Sequence, residues 1–424
     1  MRENLLVYKI DWLTIGLYAS LIFGGWLNIY AADFDPDSIR GIFSLSMSSG
    51  RQLIWIGTSA VIIALIMLLD YKFYHTLSYV LYGIMIFFLL AVLIFGEEVA
   101  GSKSWFELGS FKFQPSEFTK FATGLALARY LSKSNRKTDE LIPQIIGVVI
   151  FLIPFAFVVL QGDLGTAMVF LSLILVMFRE GMHPVILIVG IGIVMLFLLT
   201  ILVDNQMILF VGIVVVMLLL VAIMTKDIKR IAIVIVSCVI AAGFIKSVDF
   251  ILSDVLKPHQ QKRVMSLINP NADPLGIGWN VTQSKIAIGS GGFTGKGYLE
   301  GTQTKFDFVP AQTTDFIFCT IGEEHGWIGS FLMIAAFCGL FLRLVFLAER
   351  QKSVFARVYG YSVMSILFFH FALNIAMTIG LFPVIGIPLP FLSYGGSSLW
   401  GFTILLFIFL KLDAHRMQVL QRLQ

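Results

Sequence analysis

Residues 309–329 read VPAQTTDFIFCTIGEEHGWIG, which sets an acidic residue, Asp315, at the lip of an apolar run carrying two further carboxylates, Glu323 and Glu324. In a soluble protein this would be an ordinary helix start. The rest of the chain excludes that setting: 58% of its 424 residues are hydrophobic and 13% charged, and its mean hydropathy is +0.89, far outside the globular range. The sequence is that of an integral membrane protein, and Asp315 is a charge beside lipid.

Outward from this stretch, apolar runs recur at 12–32, 53–69, 75–96, 114–132, 142–160, 164–179, 184–203, 207–225, 231–247, 316–347, 358–382 and 393–412. A helix crosses about 30 Å of hydrocarbon with roughly 17–25 apolar residues, so the expectation is an all-α polytopic protein with about twelve transmembrane helices. The first run lacks a small-residue cleavage site and reads as a retained span. Lysine and arginine cluster in ARYLSKSNRKTDE (Arg129, Lys133, Arg136, Lys137), TKDIKR (Lys226, Lys229, Arg230), RLVFLAERQKSVFAR (Arg343, Arg350, Lys352, Arg357) and the tail (Lys411, Arg416, Arg422). With both termini cytoplasmic, all of these fall inside, as the charge bias of short loops requires. The acidic AADFDPDS, the connection GEEVAGSKSWFELGSFKF and the long segment 248–315 then fall outside. That segment mixes apolar, aromatic and glycine residues, which argues against disorder and for a functional loop.

The three cysteines, Cys238, Cys319 and Cys338, lie in apolar runs without metal or redox spacing and read as packing residues. A net charge of +4, spread over short loops, argues against nucleic acid as a partner.

Several motifs place chemistry near the membrane surface. In FQPSEFTKFATGLALARYL, Pro115 suits a first helical turn, and Glu117 and Lys120, three apart, share a face. Their ordinary reading is a local ion pair; ionisable residues inside a membrane are costly enough to favour a cavity-lining pair instead. In GSKSWFELG, Lys103, Trp105 and Glu107 flank the surface, where tryptophan anchors to the interface or stacks on a sugar ring. Asp163 in QGDLGTA is either a helix N-cap or a site residue. QSKIAIGSGGFTGKG is no P-loop, since Ser290 and Gly297 stand where glycine and Ser/Thr are needed; it leaves a permissive backbone with Lys285 and Lys296 suited to a phosphate-bearing ligand. Asp315 can cap the helix after it, but capping does not account for Glu323 and Glu324, about 12 Å deeper by helical rise. Finally, GLFPVIGIPLPFLSYGGSSLW breaks its backbone with Pro383, Pro388, Pro390, Gly395 and Gly396, and should wall the same cavity, as should His370 and Asn374, four apart on the preceding span.

At these residues the chain resembles the SEDS family of bacterial cell-wall glycosyltransferases. The matching motifs are FQPSEFTKFA, DLGTA, DPLGIGWNVTQSKIAIGSGGFTGKGYLEGTQT, FVPAQTTDFIFCTIGEEHGWIG and PVIGIPLPFLSYGGSS, spread over most of residues 95–400, and GKGYLEGTQ is closer to the elongation branch than to the division branch. The resemblance implies polymerisation of lipid II on the outer face of the cytoplasmic membrane during cell elongation and shape maintenance. It also implies a class B penicillin-binding transpeptidase and other elongation-complex proteins as partners. It makes Asp315 the catalytic aspartate, with Trp105, Glu117 and Lys120 at functional positions; Asp163, Lys285, Lys296, Glu323 and Ser393 complete the expected substrate-binding set. Against the family's usual ten spans, residues 204–247 look like an inserted hairpin within one membrane domain, 1–424. Gly162 replaces a common proline, and Ala311 to Thr313 replace a stretch that often carries an acidic residue and a histidine.

Joining a sugar hydroxyl to an anomeric carbon that bears a lipid diphosphate needs a base and a positive charge. Asp315 is the expected base, with Lys120, Lys285 and Lys103 as the cations; a divalent cation, magnesium or manganese, can share that work. Two rival readings are a flippase for lipid-linked saccharides, which would set its chief charges near the midplane, and a scaffold that recruits a transpeptidase.

Overall fold

The computed structural model describes residues 9–35, 41–99, 101–109, 111–133, 141–203, 205–223, 228–250, 277–306 and 308–416. Every expected apolar run coincides with helix: α1 (Trp12–Ala32), α2 (Ser48–Leu68), α4 (Ser78–Phe95) after a short α3 (Tyr71–Thr76), α5 (Pro115–Leu131), α6 (Leu141–Leu160), the pair α7 (Leu164–Phe170) and α8 (Leu173–Arg179), α9 (Pro184–Leu202), α10 (Gln206–Ile223), α11 (Ile228–Phe250), α14 (Ile317–Glu349), α15 (Val354–Thr378) and α16 (Gly396–Ala414). Seven of them (α1, α2, α4, α6, α14, α15 and α16) are long and apolar enough to cross a bilayer. The chain divides into two compact units, Met1–Met182 with Trp279–Gln424, and His183–Gly278. The second unit contains α9, α10 and α11, and the hairpin expected at 204–247 falls within it.

In the first unit α5 is the central post. All its described side chains except Arg129 are buried, and α4, α6, α15 and α16 surround it. Glycine permits the closest crossing, as packing without a hydrophobic drive between helices demands: a Cβ at Gly401 of α16 would stand 2.9 Å from the Glu117 carbonyl oxygen. Local signals start the helices where the sequence says. Asp11 accepts from Thr14 N at 3.0 Å to cap α1, and Pro115 opens α5. At the end remote from Asp315, ion pairs lock helix ends together: Arg343 with Asp11, Arg350 with Asp413, Arg357 with Glu180, and Arg179 with Glu349.

Among the described residues the fold departs from the all-α expectation in one place. The connection after α4 folds into a three-stranded antiparallel sheet, β1 (Glu97–Val99), β2 (Ser102–Leu108) and β3 (Phe111–Phe113), with Glu97 opposite Trp105 and Glu107 opposite Lys112. Its turns use Gly101 and Gly109 at φ +84° and +65°, which glycine adopts without steric cost. The Lys112 ammonium holds the Glu107 carboxyl below the usual carboxylate range.

Part of the segment expected as a long loop, 251–276, lies outside the described residues, as do Arg136, Lys137, Lys226 and Arg422. The described remainder holds the 14-residue helix α12 (Ile277–Ser290), a glycine loop and the short α13 (Thr302–Lys305). The run expected at 316–347 is broken rather than continuous: Gly326 has φ 62° and ψ −153°. The amides beyond the break are satisfied by the glycine loop, Trp327 N donating to Gly292 O at 2.9 Å and Ile328 N to Phe293 O at 3.2 Å.

Candidate active site

Asp315 sits in the turn just before α14, not at its N-cap; Phe316 occupies that position, without a side-chain cap. The turn closes on Ala311, whose carbonyl accepts from Thr314 N at 3.1 Å and Phe316 N at 3.2 Å. Ala311 itself holds φ +55°, a conformation that costs a non-glycine residue energy and persists only under surrounding constraint. That constraint comes from the proline-rich stretch between α15 and α16. Tyr394 N donates to Thr313 O at 2.9 Å, Ser393 Oγ to Thr314 O at 2.5 Å, and Asn374 Nδ2 to both Asp315 O at 2.8 Å and Ile387 O at 2.7 Å. Three consecutive carbonyls are thereby fixed, and the Asp315 carboxylate stays partly exposed. Oδ2 lies 3.5 Å from where a Cβ would stand on Gly386, itself at φ +68°. The Asp315 backbone is thus fixed, and its carboxylate lies beside the Gly386 backbone.

Asn374 connects this turn to a second, buried cluster. One helical turn away on α15, about 6 Å by rise, His370 Nε2 lies 2.8 Å from Lys120 Nζ, which also meets Glu117 Oε2 at 2.7 Å and stands 4.7 Å above the Phe402 ring. An ammonium only donates, so Nε2 accepts and the imidazole proton sits on Nδ1. Lys120 and Glu117 are each 1% exposed and His370 0%. The expected pair of Glu117 and Lys120 forms, and α15 and α16 pack over both charges.

Asp163 is both cap and tether. Its Oδ1 accepts from Thr166 N at 3.0 Å, opening α7, while Oδ2 accepts from Gln114 Nε2 at 2.9 Å, just ahead of α5. Trp105 lies half-buried in β2, and Lys103 Nζ donates to Ile94 O at 3.0 Å. Lys285 is exposed on α12, its Nζ 2.6 Å from a Cβ built at Gly380. Ser284 beside it donates to Thr378 O at 2.7 Å and lies 3.2 Å from Cys319 Sγ, so α12 is anchored to the first turn of α14, four residues from Asp315.

The remaining expected residues make contacts within the fold. Glu323, fully buried, accepts from Lys296 Nζ at 2.6 Å, from Thr302 N, Gln303 N and Thr304 N at 2.8, 2.8 and 3.0 Å, and from both threonine hydroxyls. It caps α13 and occupies Lys296. Ser393 Oγ, besides donating to Thr314 O, accepts from Leu389 N at 2.8 Å. Glu324 is 2% exposed, and its Oε2 is without a partner among the described residues. Among the described residues no three His, Cys, Asp or Glu side chains converge as a metal cage. Gln114, a possible cap by sequence, stands at the N-cap of α5 without a side-chain cap bond and donates to Asp163 instead; Phe402 and Gly386 carry no sequence signal of their own.

Comparison with known proteins gives the same architecture. Over 438 residues the chain is 30% identical to the peptidoglycan glycosyltransferase RodA of Treponema pallidum, covering 97% of this chain and 99% of that protein. It is 33% identical over 371 residues to the peptidoglycan glycosyltransferase MrdB of Escherichia coli K12, covering 86% and 85%. A solved peptidoglycan synthase complex, described as coordinating polymerisation and crosslinking, contains a chain with TM-score 0.71 and 26% identity, covering 96% of this chain and 99% of that one. The rod-shape-determining protein RodA of Thermus thermophilus shares the fold at TM-score 0.62 and 23% identity, covering 96% and 97%. The cell cycle protein family that groups FtsW, RodA and SpoVE matches residues 11–207 and 183–418, and with nearly the whole length accounted for, this chain belongs to that family.

Proposed function

We propose that the chain is a peptidoglycan glycosyltransferase that polymerises lipid II, with Asp315 as general base. The observation that carries this reading is the fixing of the Thr313, Thr314 and Asp315 carbonyls by Tyr394, Ser393 and Asn374, which presents one partly exposed carboxylate beside Gly386. Preorganisation of this kind contributes to rate by removing the cost of orienting the base. Asp315 takes the proton of the acceptor sugar's 4-hydroxyl as that oxygen bonds to the donor's anomeric carbon. The bond from that carbon to the diphosphate oxygen breaks, and the electron pair leaves with the diphosphate. Lys285, the exposed cation anchored near the same turn, is the candidate partner for the leaving group. Lys120, Glu117 and His370 act by position, setting α5 against the helix that carries Asn374. Glu323 with Lys296, Ser393 and Asp163 hold the surrounding segments, and Trp105 offers a ring at the membrane surface. A divalent cation, if recruited, would be shared with substrate phosphates.

The chain sits in the bacterial inner membrane, both termini cytoplasmic and Asp315 extracytoplasmic; the ion-pair end, rich in arginine, supports that orientation. The 204–247 hairpin is an insertion in the family's membrane domain. A crosslinking transpeptidase is the partner that the solved complex suggests. The test supplies purified protein, wild type or Asp315→Asn, and a transpeptidase with labelled lipid II. Glycan strands are expected from wild type only. Equal polymer from the variant overturns the assignment of the base, and translocation without polymer from wild type favours a carrier.

A further inference from the structure

A groove of about 630 Å³ lies between α1 and α14, with Asp315 outside its lining, within the size range of small-ligand pockets. Ser20, Leu21, Gly24 and Asn28 form one wall, and seven residues from Ile321 to Ala336 the other, of which Ile328 to Ala336, beyond the break, rise about 12 Å. Ser20, Asn28, Thr294 and His325 supply its polar side chains; most of the rest is Leu, Ile, Met and Ala. Asn28 is only 7% exposed. Its Nδ2 donates back to Gly24 O at 2.8 Å, while its Oδ1 has no partner among the described residues, an expensive arrangement unless a ligand donates to it.

We propose that this groove is a binding site for an amine-bearing, zwitterionic glycerophospholipid, its acyl chain along α14 and its ammonium donating to Asn28 Oδ1. The chemistry selects this occupant over a diphosphate-linked isoprenoid on two counts. The orphaned atom is an acceptor, which a diphosphate cannot satisfy. Among the described residues no lysine or arginine lines the groove, so a diphosphate's charge would go uncompensated, whereas a zwitterion brings its own. Gly24 and Gly16 both face open space, but only Gly24 lines the groove, so a side chain added there would occupy the site without disturbing helix packing. The proposal concerns binding and does not rest on the assignment of Asp315.

The test incorporates the full chain into phosphatidylglycerol nanodiscs with trace phosphatidylethanolamine or phosphatidylcholine carrying a photoreactive acyl chain, and maps the labelled peptides. Phosphatidylethanolamine, with N–H donors, should label 321–336 about fivefold more than phosphatidylcholine, which has none. Asn28→Val should bring that ratio to one, Gly24→Leu should abolish the labelling, and Gly16→Leu, the folding control, should leave it unchanged. Equal labelling by both lipids, undiminished labelling in Gly24→Leu, or displacement by undecaprenyl diphosphate overturns the proposal.

Discussion

Replacing Glu117 by glutamine, or Lys120 by methionine, removes one member of an ion pair whose side chains are both 1% exposed. A charge left alone at such a site has lost its water and its partner together, and breaking a buried pair from one side costs about 3–5 kcal/mol. A pair open to water would lose only about 0–1 kcal/mol. The double variant Glu117→Gln/Lys120→Met removes both charges at once and should fall far short of the sum of the singles. It retains a penalty on the order of 1–3 kcal/mol because His370 Nε2 loses its donor. Unfolding of the four proteins in mixed micelles, titrated with sodium dodecyl sulfate, measures the cycle. Singles that each cost under about 1 kcal/mol and add to give the double would refute the enclosed cluster and restore a water-filled cavity.

Asn374→Leu leaves the Asp315 and Ile387 carbonyls without their buried donor; with Asp315 as the proposed base then misplaced, the polymerisation rate should fall about a hundredfold, with lipid II binding, measured by titration, little changed. Glu323→Gln weakens the charge-assisted contacts that cap α13, by about 1.5–3 kcal/mol, and should speed limited proteolysis within 296–306. For Asp11, burial alone would raise the carboxyl, but Arg343 and Thr14 hold it down from 3.8 to about 2. Its contribution is complete above the unfolded value and is lost as pH falls through the folded one, so the melting gap between wild type and Asp11→Asn should be constant from about pH 5 upward and vanish toward about pH 2.

The helices were legible because crossing a bilayer leaves few alternatives to long apolar runs. Cap chemistry was legible at Asp163, where one side chain three residues from its amide suffices. The sheet at 97–113 was missed because three strands of three to seven residues carry little periodicity, although Gly101 and Gly109 marked its turns. The break at Gly326 was invisible in the apolar pattern, since hydrophobicity reports burial and not φ. Glu323 was singled out because an intramembrane charge is usually functional. Its saturation by α13 depends on a return of the chain twenty residues upstream, which no local reading supplies. Asp315 was found by its motif, but its tethers come from residues about 60 to 80 positions away and emerge only in the folded chain.

The glycine loop has an engineering consequence. By composition, residues 289–301 look like the tolerant kind of segment into which an epitope or fluorescent tag is usually placed. Here they serve as a splint: Gly292 and Phe293 lend their carbonyls to the fractured helix, and Gly295 has the Glu324 carbonyl oxygen 2.0 Å from where a Cβ would stand. Lengthening that splint would unseat the piece of α14 that leads to the Asp315 turn, so labels for imaging this enzyme belong elsewhere than in residues 289–301.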